Sequence, residues 1–240
     1  MSAPASSPPP SPPSPSSPAS SPSPNHWASR LGGKLLTLEG IDGTGKTTQS
    51  RLLAQRLRDA GLTVLETREP GGTPAGQALR KVLLDPASGA LAPQAELLLF
   101  LADRVQHLTE RILPALAAGE VVVCDRFHDA TLAYQAHGRG LDLAPLAPFM
   151  AQHIEPHLPF FTLWIDLPVE EALGRVSSRV PGPRETRLED EGAAYMERVR
   201  KGYRALALAH PGRMVRIDGM GTPEQVAEDI WRRLQTRCGE

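Results

Sequence analysis

A glycine-rich segment that ends in a lysine and a threonine is the first feature of this sequence to indicate chemistry. It reads Gly40-Ile41-Asp42-Gly43-Thr44-Gly45-Lys46-Thr47 and matches the pattern G-x-x-x-x-G-K-[ST]. Glycines let backbone N–H groups turn toward phosphate oxygens, and the positive end of a following helix strengthens the attraction. The pattern predicts a nucleotide site in which Lys46 bridges the β- and γ-phosphates and the Thr47 hydroxyl binds Mg²⁺. An ordinary glycine-rich turn is the alternative.

An aspartate and an arginine follow the apolar run at residues 121–124. At the end of a strand beside the glycine-rich loop, Asp125 would hold Mg²⁺ through water and Arg126 would bind a phosphate with both arms of its guanidinium. The dipeptide alone is a weak signal, and an ion pair that closes the end of a strand is the alternative.

An aromatic ring and a guanidinium lie four residues apart in a helical stretch. Phe100 and Arg104 therefore share one helix face. A flat ring beside hydrogen-bond donors suits a nucleobase, which stacks on the ring and offers a carbonyl to the donors. A core phenylalanine next to a surface arginine is the alternative.

Four arginines crowd a segment that proline and glycine interrupt. They are Arg175, Arg179, Arg184 and Arg187, and the interruption is Pro181-Gly182-Pro183. Because this tripeptide breaks any helix, we expect a mobile loop whose positive charge closes over a transferring phosphate. A solvated charged loop is the alternative.

Alternating strands and helices must position these groups. Apolar runs predict strands at 34–39, 63–66, 121–125, 160–166 and 214–217, and amphipathic stretches predict helices at 46–60, 73–84, 94–118, 142–154, 168–178, 190–209 and 222–237. This alternation predicts an α/β fold with a five-stranded parallel sheet flanked by helices. Ligands of such sheets bind at the carboxyl ends of the strands, where the candidate residues fall.

Composition bounds the class of protein. The 240 residues are 40% hydrophobic, and the formal net charge of −1 argues against a protein dominated by a nucleic-acid-binding face. No apolar stretch approaches the ~18 residues that cross a membrane. The two distant cysteines fit a reducing, cytoplasmic setting. The only asparagine, Asn25, lies outside the predicted domain, which excludes the guanine-reading Asn-Lys-x-Asp motif of a regulatory GTPase.

The first 24 residues differ from the rest of the chain. They consist of ten prolines, ten serines, three alanines and Met1. Without charge or large apolar side chains, such a segment cannot offset its ordering entropy. We expect residues 1–29 to be a disordered tail and residues 30–240 to form one P-loop domain, with a short lid at about 175–189.

Taken together, four blocks resemble the thymidylate kinase family. They are residues 38–48, the segment Thr67-Arg68-Glu69-Pro70-Gly71-Gly72-Thr73, Asp125-Arg126 followed by Ala133-Tyr134-Gln135, and Arg187-Leu188-Glu189. The resemblance covers about residues 33–237. It implies a nucleoside-monophosphate-kinase fold, the reaction ATP + dTMP → ADP + dTDP for dTTP synthesis, dependence on Mg²⁺ and a homodimer.

Matched residue by residue, the resemblance implies roles around the acceptor phosphate. Asp42 lies near the 3′-hydroxyl of dTMP, and Arg126 binds the dTMP phosphate. Arg68 and Glu69 line the site after the second strand, and Arg80 flanks the monophosphate pocket. Lys46, Arg126, Asp42 and Glu69 form the expected catalytic set, together with arginines of the lid.

The resemblance implies a second group of roles around the base. Phe100 stacks on thymine while Arg104 reaches its O4. Thr131 and Gln135 contact the base or the sugar. The ring of Tyr134 closes off the 2′ position, which favours deoxyribose.

Two departures from the family pattern affect these expectations. Ala130 stands where bacterial relatives often carry serine, which removes one polar contact near the base. Gly43 stands where one branch of the family carries arginine, which suggests that the lid supplies the catalytic charge, from Arg179 or Arg187. Two rivals stay open: a kinase for another monophosphate or a nucleoside, and a nucleotide-binding regulator without turnover.

Overall fold

A five-stranded parallel sheet organises the chain. The computed structural model describes residues 27–178 and 191–239. The strands are β1 (Leu35–Glu39), β2 (Val64–Arg68), β3 (Val121–Asp125), β4 (Phe161–Asp166) and β5 (Met214–Asp218). They lie side by side in the order β2-β3-β1-β4-β5. The glycine-rich loop therefore leaves the central strand, and the end of β3 lies next to it. All five predicted strands are confirmed to within two residues at each end.

Helices cover both faces of the sheet. They are α1 (Lys46–Asp59), α2 (Pro74–Leu84), α3 (Pro93–His107), α4 (Leu113–Ala117), α5 (His128–Thr131), α6 (Ala147–His153), α7 (Val169–Ser177), α8 (Gly192–Ala209) and α9 (Pro223–Gly239). A π-helical stretch, Leu108–Ile112, joins α3 to α4, so the long helix predicted at 94–118 changes its hydrogen-bonding pattern midway.

Alternation along the strands separates two apolar layers. Leu36 and Leu38 of β1 face α1 and α9, in a core that contains Leu57 and Trp231. Leu35 points to the opposite face, where it packs with α3 and α6. Because both faces are covered, β1 and β3 are buried along their whole length.

One helical segment next to the site was missed by the sequence patterns. It consists of α5 and the π-helix Leu132–Gly138. Both polar and apolar residues of this segment are buried, among them Asp129, Thr131 and Gln135, because it lies between the candidate site and α8. A helix that is buried on more than one side has no amphipathic period to detect.

The described residues include the end of the predicted tail. Trp27 packs edge-to-face on Trp231 at 4.9 Å between ring centroids and Ala28 is buried, three and two residues before the predicted start at residue 30. The predicted tail before Trp27 and most of the predicted lid lie outside the described residues. Within residues 27–178 and 191–239, no helix is long and apolar enough to span a membrane.

Candidate functional site

The glycine-rich loop turns tightly between β1 and α1. Gly43 has φ of 84°, and a Cβ at this position would lie 2.2 Å from the carbonyl oxygen of Ala172 in α7. The backbone of α7 therefore approaches the loop so closely that only glycine fits. This packing is a physical reason why Gly43, rather than an arginine, stands in this loop.

Lys46 opens α1 beside this turn. Its Nζ donates a hydrogen bond to the carbonyl oxygen of Ile41 at 2.8 Å and lies 4.0 Å from a carboxylate oxygen of Asp42. Only 7% of its side chain is exposed. Burial, assisted by the charge of Arg126, lowers the pKa of Lys46 to about 8. A phosphate group at this loop would favour the charged ammonium.

Thr47 and Asp125 form the candidate metal position. The Thr47 hydroxyl donates to Oδ2 of Asp125 at 2.6 Å, which links α1 to the end of β3. Oδ1 of Asp125 is buried and has no hydrogen-bond partner among the described residues. A hydroxyl beside an unsatisfied carboxylate oxygen suits Mg²⁺, which usually takes few protein ligands and keeps several waters. The donor chemistry of these two residues therefore fits the ion.

Arg126 is held in a strained conformation at the centre of the site. Its φ is 72°, a left-handed value that is uncommon for arginine and costs of order 1–3 kcal/mol. Nη2 donates to Asp42 at 2.7 Å and to the Tyr134 hydroxyl at 2.9 Å, and Nη1 donates to the Gly40 carbonyl at 3.0 Å. The guanidinium lies over the Tyr134 ring, 4.8 Å from its centroid. The loop and the segment after β3 thus fix this one guanidinium together.

A cavity opens beside Arg126. Most of the residues predicted to bind the acceptor line it, together with Pro70, Leu84 and Ala130. The predicted residues that line it are Asp42, Glu69, Arg80, Phe100, Arg104, Arg126, Thr131, Tyr134 and Gln135. They come from the loop, the segment after β2, α2, α3 and the segment after β3. The fold therefore brings separate parts of the chain to one pocket. Ala130 offers this pocket a methyl group and no hydroxyl.

Arg104 reaches the cavity from a buried ion pair. It is 2% exposed, and its Nε donates to Glu69 at 2.7 Å. Nη1 donates to the Thr131 hydroxyl and Nη2 to the Phe127 carbonyl. The other carboxylate oxygen of Glu69 contacts Nδ1 of His107 at 3.0 Å. Because both oxygens of Glu69 are engaged, its geometry favours positioning Arg104 over the direct catalytic part predicted for it.

Of three further residues that were predicted to belong to the site, two line the cavity and one does not. Phe100 is half-buried, lines the cavity and packs beside Leu83 and Leu84 of α2. Arg80 donates to the carbonyl oxygen of Pro70 at 3.0 Å at the cavity wall. Arg68 is exposed at the end of β2 and does not line the cavity, so its role in the site stays a prediction.

The lid residues Arg179, Arg184 and Arg187 lie outside the described residues. Arg175, at the end of α7, donates to the Gly219 carbonyl at 3.1 Å. It lines a second cavity with Thr44 and Gly45, on the other side of the glycine-rich loop.

Two buried residues that the sequence patterns missed, Glu39 and Tyr203, form hydrogen bonds next to the site. Glu39, the last residue of β1, accepts hydrogen bonds from the Phe127 amide and the Tyr203 hydroxyl, both at 2.7 Å. Burial and the neighbouring charge of Asp129 raise the pKa of Glu39 to about 7. Tyr203 comes from α8, far along the chain, so no local pattern could reveal this contact.

Glu96 was missed although a signal was present. It precedes Phe100 by four residues and Arg104 by eight, so all three share one face of α3. Its position on the same helix face as a candidate base-binding pair was sufficient to predict Glu96 as a site residue.

Comparison with known proteins agrees with this geometry. The family model described as "Thymidylate kinase" matches residues 38–230. The chain is similar to a thymidylate kinase of Synechococcus sp., with 50% identity over 207 residues, which covers 84% of this chain and 94% of that protein. A thymidylate kinase of Trichlorobacter lovleyi is also 50% identical, over 198 residues that cover 81% of this chain and 93% of the relative.

A solved structure extends the likeness to the fold. The crystal structure of thymidylate kinase from Ehrlichia chaffeensis aligns with a TM-score of 0.69 and 32% sequence identity. The alignment covers 85% of this chain and 99% of that structure.

Proposed function

The chain belongs to the thymidylate kinase family, and on that premise we propose which of its residues perform the transfer of phosphate from ATP to dTMP. The enzyme is a nucleoside monophosphate kinase that forms dTDP for dTTP synthesis. Transfer of a phosphoryl group needs positioning and charge neutralisation more than a strong base. The two cavities that flank the glycine-rich loop support one site for each substrate.

On the donor side, we assign the phosphates of ATP to the loop at residues 40–47. The free amide N–H groups at the start of α1 and the ammonium of Lys46 would neutralise the phosphate oxygens. The cavity lined by Thr44, Gly45 and Arg175 adjoins the loop and is the proposed site of the ATP base.

On the acceptor side, Arg126 would bind the dTMP phosphate and Arg80 would flank it. The four contacts that hold Arg126 at the cavity support a phosphate site whose guanidinium is already in place. They use all four terminal N–H groups, so a bound phosphate takes the remaining Nε–H or replaces some of these partners. Asp42 is the link between the sides, since it belongs to the loop and also lines the acceptor cavity.

The base would enter between Phe100 and the polar groups of α3 and the segment after β3. Phe100 would stack on thymine, Arg104 would donate to O4, and Thr131 and Gln135 would contact the base or sugar. Tyr134, a residue that is 4% exposed and lines the cavity, would restrict the sugar to deoxyribose.

Thr47 and Asp125 are the residues that would hold Mg²⁺. The ion would neutralise charge on the ATP phosphates during transfer. The buried, unpartnered oxygen of Asp125 supports this assignment. Removing Mg²⁺ with a chelator should abolish transfer, and full turnover without divalent ions would contradict it.

The single observation that carries the dTMP proposal is one cavity that is lined both by Arg126, which contacts the loop, and by Phe100 with Arg104. A coupled ADP assay with dTMP, dUMP, dCMP, dGMP and AMP tests it. We expect turnover with dTMP to exceed turnover with dCMP, dGMP and AMP. A preference for one of those three would favour a kinase for another monophosphate. ADP release that does not depend on any acceptor would favour a nucleotide-binding regulator.

We also propose a homodimer. The helices α2 and α3 pack side by side, and each exposes a large apolar residue, Val82 and Leu98. Light scattering after size exclusion should give twice the 25.9 kDa chain mass, and Leu98→Glu should shift the protein toward monomer. A monomeric wild-type protein would contradict the proposal.

The free thiols of Cys124 and Cys238 support a reducing compartment, and we propose that the enzyme works in the cytoplasm.

A further inference from the structure

One amide group in the acceptor cavity has an orientation that its neighbours dictate. Gln135 lines the cavity, and its Nε2 donates to Oε1 of Glu96 at 3.1 Å. Glu96 is fully buried in the first turn of α3. An amide carries two donors on nitrogen and an acceptor on oxygen, so turning it by half a revolution would reverse the polarity that it offers to a ligand.

Arg139 makes that reversal unfavourable. It binds Glu96 with two hydrogen bonds, from Nε at 2.7 Å and from Nη2 at 2.9 Å. A bidentate arginine favours the ionised carboxylate, and an ionised carboxylate accepts hydrogen bonds only. If the Gln135 amide turned over, its oxygen would face a buried negative charge. The NH₂ group is therefore fixed toward Glu96, and the carbonyl oxygen is left for the cavity.

We propose that Glu96, held by Arg139, is a positioning residue that makes Gln135 a hydrogen-bond acceptor and thereby selects a base that carries N3–H. This inference rests on the proposed function and names the chemistry by which that site selects its substrate. Glu96 itself does not line the cavity and acts through Gln135.

Arg104 presents the opposite polarity. Three of its five N–H groups are used by Glu69, Thr131 and the Phe127 carbonyl, which leaves one on each terminal nitrogen. An acceptor from Gln135 and a donor from Arg104 in the same cavity would match the N3–H and O4 edge that thymine and uracil share. Cytosine offers an acceptor at N3 and a donor at N4, so both contacts would be mismatched.

The shared edge gives the experiment an internal control. We would measure kcat/KM for dTMP, dUMP and dCMP with wild-type enzyme, Glu96→Gln and Glu191→Gln. A glutamine at position 96 can donate, so the Gln135 amide can turn over. The matched control removes the other carboxylate on Arg139, which accepts from Nη2 at 2.8 Å and does not contact Gln135.

We expect Glu96→Gln to lower the ratio of dTMP to dCMP efficiency by about tenfold or more, because the penalty for mismatched polar groups is relaxed. The ratio of dTMP to dUMP should stay within about twofold, since both bases present the same edge. Glu191→Gln should leave both ratios unchanged. A folded Glu96→Gln variant with a wild-type dTMP to dCMP ratio would overturn the inference, and so would an equal change in both ratios.

A second variant covers the case in which Glu96→Gln does not fold. Glu96→Asp keeps a carboxylate for Arg139 but withdraws it from the amide by one methylene. We expect a loss of discrimination against dCMP of about threefold, and an unchanged ratio would overturn the inference. The wild-type enzyme separates the two claims: if it phosphorylates none of the three pyrimidine nucleotides, the proposed function fails, whereas a dTMP preference that ignores Glu96 refutes only the role of Glu96.

Discussion

The donor and acceptor sides of this enzyme are built in different ways. The phosphate-binding part of the donor side is one continuous segment, residues 40–47, between a buried strand and a helix. The acceptor cavity draws on five separate segments that are joined by ion pairs of buried or half-buried groups, Asp42 with Arg126 and Glu69 with Arg104. A third ion pair, between Glu96 and Arg139, connects α3 to the segment after β3 and does not line the cavity.

The difference follows from what each side must recognise. Phosphate oxygens accept hydrogen bonds in every orientation, so backbone amides of one loop suffice. A base has donors and acceptors in a fixed order, so side chains must be held with defined polarity. Removing one partner of a buried ion pair typically lowers the free energy of unfolding by about 3–5 kcal/mol. Changes to the ion pairs of the acceptor side should therefore disturb folding as well as binding. Removal of the Lys46 ammonium from the loop should instead disturb ATP binding and transfer with little effect on folding.

Lys46→Ala should have the largest effect. Loss of a phosphate-neutralising ammonium should lower kcat on the order of 10³-fold, with little change in the circular dichroism spectrum. Steady-state kinetics of the variant measure this, and Lys201→Ala serves as control because Lys201 is exposed on α8. Wild-type turnover in Lys46→Ala would disprove the assignment of the loop.

The lid arginines should rank next. Gly43 offers no charge at the loop, so we predict that Arg179 or Arg187 acts on the transferring phosphoryl group. Alanine at the acting position should lower kcat and kcat/KM together, by up to ~10³-fold, and leave dTMP binding nearly intact. If both single variants keep near-normal kcat, the charge must come from Lys46, Arg126 and Mg²⁺.

Glu39→Gln tests the buried carboxylate that connects the end of β1, before the loop, to the segment after β3. The pKa of Glu39 is raised to about 7 in the fold, above its ordinary value of 4.5. Its contribution to stability is therefore fully present below pH 4.5 and is lost as the pH rises through 7. Relative to the variant, the wild-type free energy of unfolding should fall by at most about 3 kcal/mol between pH 5 and pH 8.

Urea unfolding at several pH values measures this difference, with Glu110→Gln as a control at an exposed carboxylate. A difference between Glu39→Gln and wild type that does not change with pH would show that Glu39 is ionised throughout.

Phe100→Ala should weaken the acceptor side alone. Loss of a stacked base costs about 1–3 kcal/mol, so KM for dTMP should rise by about 5- to 150-fold while KM for ATP stays nearly constant. Kinetics with each substrate varied in turn measure the two constants. Equal increases in both would mean that Phe100 only fills the core beside Leu83 and Leu84.

Deletion of residues 1–24 should have the smallest effect. The segment carries no charge and no large apolar side chain, and the deletion spares Trp27 and its contact with Trp231. Melting temperature and kcat should stay nearly unchanged, and a drop of several degrees would contradict the proposal that the domain does not need this tail.

The contrast between the two sides also explains what the sequence could predict. The loop could be predicted because its pattern is contiguous. The strands could be predicted because burial on both faces makes them apolar runs. Arg126 was suggested by its place after a strand, and Phe100 with Arg104 by their spacing on one helix face. The other acceptor residues were reached through the family resemblance, since Glu69 is 35 positions from its partner Arg104 and Thr131 lies on a helix with no amphipathic period.

The supporting residues were harder to predict for a physical reason. Tyr203 meets Glu39 across 164 positions, and only the packing of α8 on the sheet brings them together. The approach of α7 to Gly43 is likewise a tertiary contact that no local pattern could reveal.

Equilibrium titration of two ligands against two variants tests the separate construction of the two sides most directly. Isothermal calorimetry would give Kd for dTMP and for a non-hydrolysable ATP analogue with Mg²⁺, using Lys46→Ala and Phe100→Ala. Our account predicts that Lys46→Ala weakens only the ATP analogue and Phe100→Ala weakens only dTMP, each by about tenfold or more. Equal weakening of both ligands by either variant would contradict it.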